Sequence, residues 1–347
     1  LQKEAKNFRS IHRVLTDGEI ARGRLIESVM SETPAFLDTG RPNVPDIVVP
    51  RGVTPFFLPG RPVRGRLVRL GALADALLTR HQNDPAVTRL AGKALALTAV
   101  LATALKFKGT FSIQAKGDGP VDLLLADCTD QGTLRGYARA DAEKLAAFGT
   151  AEAATDADLL GRGYLAFTVD QGPEMERHQG IVAIEGPSMT EMALHYFETS
   201  EQLQCALHLA CAHTPAGWRA GALILERVAL GGEGNLTLSQ AEQEESWTAA
   251  TALAATISET ELLDDTLPPE RLLYRLFHTE GVAADRPRAL GYGCRCSRAK
   301  LTGILEGFTP AELDEMSTGT DIVMTCEFCN VDFRFPRGDL RGQPAPA

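Results

Sequence analysis

From Val63 to Leu70 the chain reads Val-Arg-Gly-Arg-Leu-Val-Arg-Leu, the near-alternation expected of a strand. Ala72–Thr79 and Pro85–Leu105 follow with apolar residues at helical spacing. The second is apolar on almost every side, which predicts a central buried helix. Short strand-like runs come next, at Thr110–Ala115, Val121–Ala126, Thr133–Arg139, Tyr164–Val169 and Gly180–Ile184. Gly-rich turns such as Gly117-Asp118-Gly119-Pro120 separate them. A helix over Met189–Thr199 opens on a capping box, Ser188 with Glu191. Strands at Gln204–Ala210 and Arg219–Val228 close the series. The pattern predicts an α+β protein with an N-terminal α/β core domain over residues 46–228, its antiparallel-rich sheets built around a central helix.

Beyond Val228 the pattern changes. Gly231-Gly232-Glu233-Gly234-Asn235 reads as a linker, and Ser239 with Glu242 forms a second capping box. Trp247, Ala250, Ala254 and Ile257 then recur at helical spacing, and another short helix is expected over Pro269–His278. Small residues dominate the first helix's apolar face, so its gain from burial is modest. Residues 229–284 are thus expected to form an acidic helical linker, marginally stable unless a partner surface covers it. A small C-terminal module is expected over residues 285–336. Within it, Thr309-Pro310-Ala311-Glu312-Leu313 marks a helix start with Phe308 stapled to Leu313. Ile322–Thr325 and Val331–Phe335 read as hairpin strands. Residues 337–347 read as a disordered tail. Residues 1–45, charged and then Pro-rich, read as an N-terminal extension with helical periodicity over Ile11–Met30.

Charge narrows the choice of partners. With 35 basic and 45 acidic side chains among 347 residues, the formal charge is -10. Sequence-independent nucleic-acid binding needs many cations to replace phosphate counterions, so it is disfavoured. No uninterrupted apolar run approaches the roughly 20 residues that span a bilayer. The expectation is a cytoplasmic protein with neither a membrane nor a nucleic-acid partner.

Four of the seven cysteines carry the clearest chemistry. Cys294 and Cys296, then Cys326 and Cys329, form a Cys-x-Cys pair and a Cys-x-x-Cys pair separated by 29 residues. Thiolates suit Zn2+, which takes four tetrahedral ligands, and two tight pairs supply them at little loop-closure cost. A module of about 50 residues has too little core to fold unaided, so one bound Zn2+ would supply folding free energy. Arg295, Arg298, Lys300 and Arg334 lie near enough in sequence to offset the excess negative charge. Four thiolates leave no coordination position for an activated water, so zinc hydrolysis is disfavoured.

Spacing alone leaves two roles open, a static staple or a redox switch, because zinc-bound thiolates are already deprotonated and react with oxidants if exposed. Cys128, Cys205 and Cys211 lie in apolar or strand-like contexts and read as inert buried thiols. His178, His195 and His278 have no companion at a telling spacing. The short Gly turns are not followed by a phosphate-loop helix. No catalytic or nucleotide-binding residues are expected, and the protein is not expected to be an enzyme. A dithiol oxidoreductase using Cys326 and Cys329 would need a strand-then-helix context that is missing.

The same cysteine stretches, Cys294-Arg295-Cys296-Ser297-Arg298 and Cys326-Glu327-Phe328-Cys329 with Phe333-Arg334-Phe335, resemble the zinc module of the bacterial heat-shock protein 33 family of redox-regulated holdases. Leu105-Lys106-Phe107-Lys108-Gly109, Gln114 to Pro120, Leu134-Arg135-Gly136, Tyr196 to Leu203 and Leu273 to His278 resemble further family motifs in the family's order. The resemblance implies an ATP-independent chaperone for unfolding client proteins. Reduced protein would be monomeric, hold one Zn2+ and be poorly active. Oxidation would form Cys294–Cys296 and Cys326–Cys329 disulfides, the latter first, release zinc, unfold the linker and allow dimerisation. The competing expectation is a constitutive zinc-ribbon protein that binds nucleic acid or a partner. The extension 1–45 and the three other cysteines lie outside the family pattern.

Overall fold

The computed structural model describes residues 45–148, 154–172, 175, 177–229 and 238–342. The expected extension 1–45 lies almost wholly outside the described residues, as does the Gly-rich stretch 231–235. The described chain falls into two compact units, residues 46–293 and 294–342.

The first unit is built on one large sheet. Its strands are β1 (Val48–Phe57), β2 (Val63–Arg69), β3 (Thr110–Gly117), β4 (Val121–Thr129), β5 (Thr133–Ala140), β6 (Gly163–Asp170), β7 (His178–Ala183), β8 (Cys205–Thr214), β9 (Gly217–Arg227), β10 (Ala283–Ala284) and β11 (Arg288–Tyr292). Their order is β7-β6-β3-β4-β5-β11-β1-β2-β9-β8, with β10 beside β1. The β5–β11 pair is parallel and the other pairs are antiparallel.

Helix α1 (Ala72–Leu78) and the long α2 (Pro85–Ala104) lie on one face of this sheet. Asp84 starts α2 by accepting a hydrogen bond from the Ala86 N–H at 2.8 Å, with Pro85 in the first turn. Sixteen of its 20 residues are buried, so its all-round apolar character serves the core. By length and composition it would also pass for a membrane span. Contact with the sheet is close: a Cβ on Gly92 would come within 2.2 Å of Cys211 Sγ. The short helices α3 (Ala142–Ala147) and α4 (Asp156–Leu160) precede β6. Helix α5 (Met189–Tyr196), with the expected Ser188–Glu191 box, continues into a single π-turn over Phe197–Glu201.

The sheet is buried on both faces where β1, β2, β8 and β9 meet. Side chains alternate along a strand. Val68, Ala222 and Ile224 pack towards α2, while Val63, Leu67, Leu223 and Leu225 belong to a second cluster on the other face. That face is covered by α6 (Gln240–Ala254), α7 (Glu259–Leu263) and α8 (Pro269–Phe277). The helical segment expected to need a partner surface therefore has one. Ala250, Ala254, Leu262, Leu272, Leu273, Leu276 and Phe277 are buried on it, with Trp247 and Ile257 packed alongside.

The chain then re-enters the sheet. β11 inserts between β1 and β5, with Leu290 fully buried. Residues 285–293 thus pack with the large sheet, whereas the sequence suggested that the terminal module begins at 285. A five-residue strand without a β-branched side chain carries no period of its own.

The second unit contains α9 (Arg298–Leu305), α10 (Pro310–Met316) and the hairpin β12 (Asp321–Cys326) with β13 (Val331–Pro336). Leu305, Leu313, Ile322, Phe333, Phe335 and Leu340 form its core. Phe308 packs against this core together with Leu313, as the staple requires. Part of the stretch read as a disordered tail is ordered: Arg337–Asp339 form a 3-10 turn, and Leu340 is buried in the small core, while residues 343–347 lie outside the described residues. Six buried apolar side chains are few for a unit of this length, so a cross-link between its parts would add much to its stability.

Candidate metal centre

Each cysteine pair is placed by a short-range device. Cys296 precedes the Ser297 cap of α9, whose Oγ accepts from the Lys300 N–H at 3.1 Å. Cys326 ends β12, and Cys329 lies in the hairpin loop. Asn330 closes that loop with a left-handed φ of 52°, and its N–H donates to the Cys326 carbonyl at 2.7 Å. Thr325 and Asp332 brace the hairpin beside it through a 2.7 Å hydrogen bond.

These devices bring the four Sγ atoms within 4.8 Å of one another. Cys294 Sγ lies 3.3 Å from Cys296 Sγ and 3.7 Å from Cys326 Sγ, and Cys296 Sγ lies 3.5 Å from Cys329 Sγ. Four sulfurs held about 2.3 Å from a shared zinc ion would be about 3.8 Å apart, so the set fits a tetrahedral thiophilic cation. Cys294 and Cys329 are buried, while Cys296 and Cys326 are half-buried.

Crowding sorts the thiols by proton affinity. The neighbouring Cys296 thiol holds Cys294 down to about 7. Contact with Cys294, then Cys296, holds Cys326 well below the ordinary thiol range. Cys296 and Cys329 are pushed up, each chiefly by its contact with Cys294, because the sulfurs cannot all be anionic at this separation. A divalent cation removes that conflict and lets all four ionise. The Arg298 guanidinium, expected to offset the thiolate charge, lies 4.5 Å over the Phe335 ring and donates to the Arg334 carbonyl at 2.7 Å.

The other candidates stay apart from the cluster. Cys128 is on β4, and Cys205 and Cys211 are on β8, all in the first unit. Burial pushes both Cys205 and Cys211 up to about 12, so little reactive thiolate is available from either. His195 faces Glu185 at 3.7 Å, and His278 Nδ1 lies 3.1 Å from the Tyr274 carbonyl oxygen.

The sheet side of the helical segment carries polar anchors that sequence patterning missed. Arg69 is 7% exposed and donates from Nε to the Leu262 carbonyl at 2.9 Å. It also donates from Nη2 to the Glu261 carbonyl at 2.5 Å, and from Nη1 to the Leu267 carbonyl. Arg219 pairs with Asp265 at 2.5 Å, and Arg275 with Glu261 at 2.6 Å. The available signal was Arg69 itself, a cation within Leu67-Val68-Arg69-Leu70. A charge on a strand buried on both faces must find partners.

A family model described as Hsp33 protein matches residues 52–336. The 33 kDa chaperonin of Caulobacter vibrioides is 39% identical over 284 residues, which cover 80% of this chain and 92% of that relative. The 33 kDa chaperonin of Ectopseudomonas mendocina is 34% identical over 290 residues, covering 82% and 92% respectively. Among solved structures, the crystal structure of the 33 kDa chaperonin (heat shock protein 33 homolog) of Thermotoga maritima superposes with a TM-score of 0.67. At 21% identity, over 83% of this chain and 96% of that one, this likeness concerns the fold.

Proposed function

Because the chain belongs to the Hsp33 family of chaperones, we propose that it is a redox-regulated, ATP-independent holdase switched by its four-cysteine centre. The carrying observation is the gathering of Cys294, Cys296, Cys326 and Cys329 into one cluster from two local pairs. In reduced protein these four residues would hold one zinc ion, which supplies the positive charge that keeps four thiolates side by side.

Peroxide would oxidise each pair separately. Two thiols give up two electrons and two protons to form one S–S bond, and the peroxide O–O bond is cleaved to two waters. The pairs are Cys294–Cys296 and Cys326–Cys329, with the second reacting first. Two disulfides leave no thiolate ligands, and the second unit then loses its cross-link.

The chain between α8 and Cys294 runs through β10 and β11, so loss of order at the centre reaches the helical segment along the backbone. Release of α6, α7 and α8 would uncover Phe56, Leu67, Leu223 and Leu225, an apolar face suited to unfolding client chains. Oxidised protein would dimerise, and reduced protein would be monomeric.

The deciding measurement is light scattering from a heat-denaturing client in the presence of reduced, zinc-loaded protein or its peroxide-treated form. Only the oxidised form is expected to suppress aggregation, alongside release of one zinc and loss of four titratable thiols. Equal suppression by both forms would remove the switch from the mechanism.

A further inference from the structure

The first unit contains a cavity of about 430 Å3 at the C-terminal end of α2, a size typical of small-molecule sites. Its lining draws on β3 and β6 from one end of the strand order and on β2, β8 and β9 from the other. The sheet therefore curls round α2 and leaves the cavity where its two ends approach.

The walls are mostly apolar and partly aromatic. Phe167 stacks on Tyr196 with ring centroids 4.3 Å apart, and Phe197 meets Tyr196 edge-on at 5.8 Å. Leu101, Phe111 and Ile224 extend the apolar lining. A carboxyl group interrupts this surface. Glu201 Oε1 accepts a 2.6 Å hydrogen bond from the Tyr196 hydroxyl, and no cationic side chain among the described residues forms an ion pair with Glu201.

The other charges do not fill that role. Arg64 and Glu226, which also line the cavity, pair with each other at 2.7 Å, and the lining Arg227 pairs with Glu244 at 2.5 Å. Lys106 is exposed at the rim. The end of α2 that faces the cavity is the negative end of its dipole.

Two features thus favour a cationic ligand, a half-buried carboxylate with no ion-pair partner among the described residues and a helix C-terminus, and the aromatic side chains add apolar contact. The apolar volume calls for a hydrophobic body. We propose that this cavity binds a small organic cation of the arylalkyl-ammonium class, with Glu201 as its counter-charge and Phe167, Tyr196 and Phe197 against its apolar part. Burial holds Glu201 above the usual carboxylate range, as expected for a group that lacks such a partner.

The test is calorimetric titration of the reduced full-length protein, at about pH 8, with three probes of equal shape: phenylbutylamine, phenylbutanol and phenylbutyrate. The amine is expected to bind at least about tenfold more tightly than the alcohol, with the acid weakest. Glu201→Gln keeps an oxygen for the Tyr196 hydroxyl and should bring the amine to the level of the alcohol. Tightest binding by the acid would assign recognition to the lining cations, Lys106, Arg64 or Arg227, and overturn the proposal. So would an amine preference that survives in Glu201→Gln, or no saturable binding of any probe up to millimolar concentration.

Discussion

Arg69 on β2 donates from Nε to the carbonyl oxygen of Leu262 at 2.9 Å, joining the sheet to the end of α7 across 193 positions of sequence. The same guanidinium serves the carbonyls of Glu261 and Leu267, so one buried cation holds the turn between α7 and α8 against the sheet. Charge-assisted bonds to buried carbonyls contribute about 1.5–3 kcal/mol each, and leaving such acceptors unsatisfied adds to the loss. Arg69→Met is expected to destabilise the helical segment by about 3 kcal/mol while the α2 core stays folded. Hydrogen exchange should show faster amides over 240–277 in reduced protein and unchanged protection over 85–104. The oxidant dose needed for client capture should fall. Uniform protection loss across both regions would assign Arg69 to global stability alone.

Phe277 and Leu97 are both fully buried, in different layers. The Phe277 ring stacks on Phe56 with centroids 5.4 Å apart. Phe277→Ala is expected to cost about 3–5 kcal/mol, and Leu97→Ala about 2–5 kcal/mol. The first loss falls on the helical cover and the second on the central helix. Reduced Phe277→Ala should suppress client aggregation without oxidant, and reduced Leu97→Ala should melt earlier without gaining that activity. If both variants stay inactive while reduced, the covered face is not the client surface.

If the four-cysteine centre holds zinc as proposed, the second unit should depend on it. Chelation of zinc from reduced protein is expected to remove exchange protection from 294–340 and leave 85–104 unchanged, because six buried apolar side chains make a small core. Cys329→Ser should show the same loss without chelator. Retained protection over 322–335 after metal removal would make the centre dispensable for folding.

Glu201 links stability to pH. Burial raises its folded-state pKa above the ordinary 4.5, and its hydrogen bond with Tyr196 offsets only part of this. A carboxyl raised on folding contributes stability that is fully present below its unfolded value and is lost as pH climbs through the folded value. Glu201→Gln should therefore gain stability relative to the parent as pH rises above the unfolded carboxyl's 4.5 and through the raised folded value, measured by urea unfolding of reduced protein. A difference that shrinks with pH would contradict the sign.

Much of the local structure was legible because its causes lie within a few residues. The capping boxes at Ser188–Glu191, Ser239–Glu242 and Thr309–Glu312 form as their spacing predicts. The hairpin strands flanking Cys326 and Cys329 also lie where alternation placed them. β1 escaped notice because Pro50, Gly52 and Pro55 break its alternation, and the β1–β11 register shifts between Val49 and Val53. β11 escaped because Arg288-Ala289-Leu290-Gly291-Tyr292 is short and its partners are β1 and β5, both distant in the chain.

By itself, then, the sequence determined where most elements begin and end, and which four thiols offer themselves to a metal. Capping, alternation and paired-ligand spacing are contacts between near neighbours in the chain. Only the tertiary structure decided that α6, α7 and α8 cover a sheet face, that Arg69 serves three carbonyls there, and that Glu201 lies in an apolar cavity. The first two depend on helices that return over the sheet face opposite α2 and the third on the curl of the sheet around α2, and no period along the chain encodes which distant surfaces will meet.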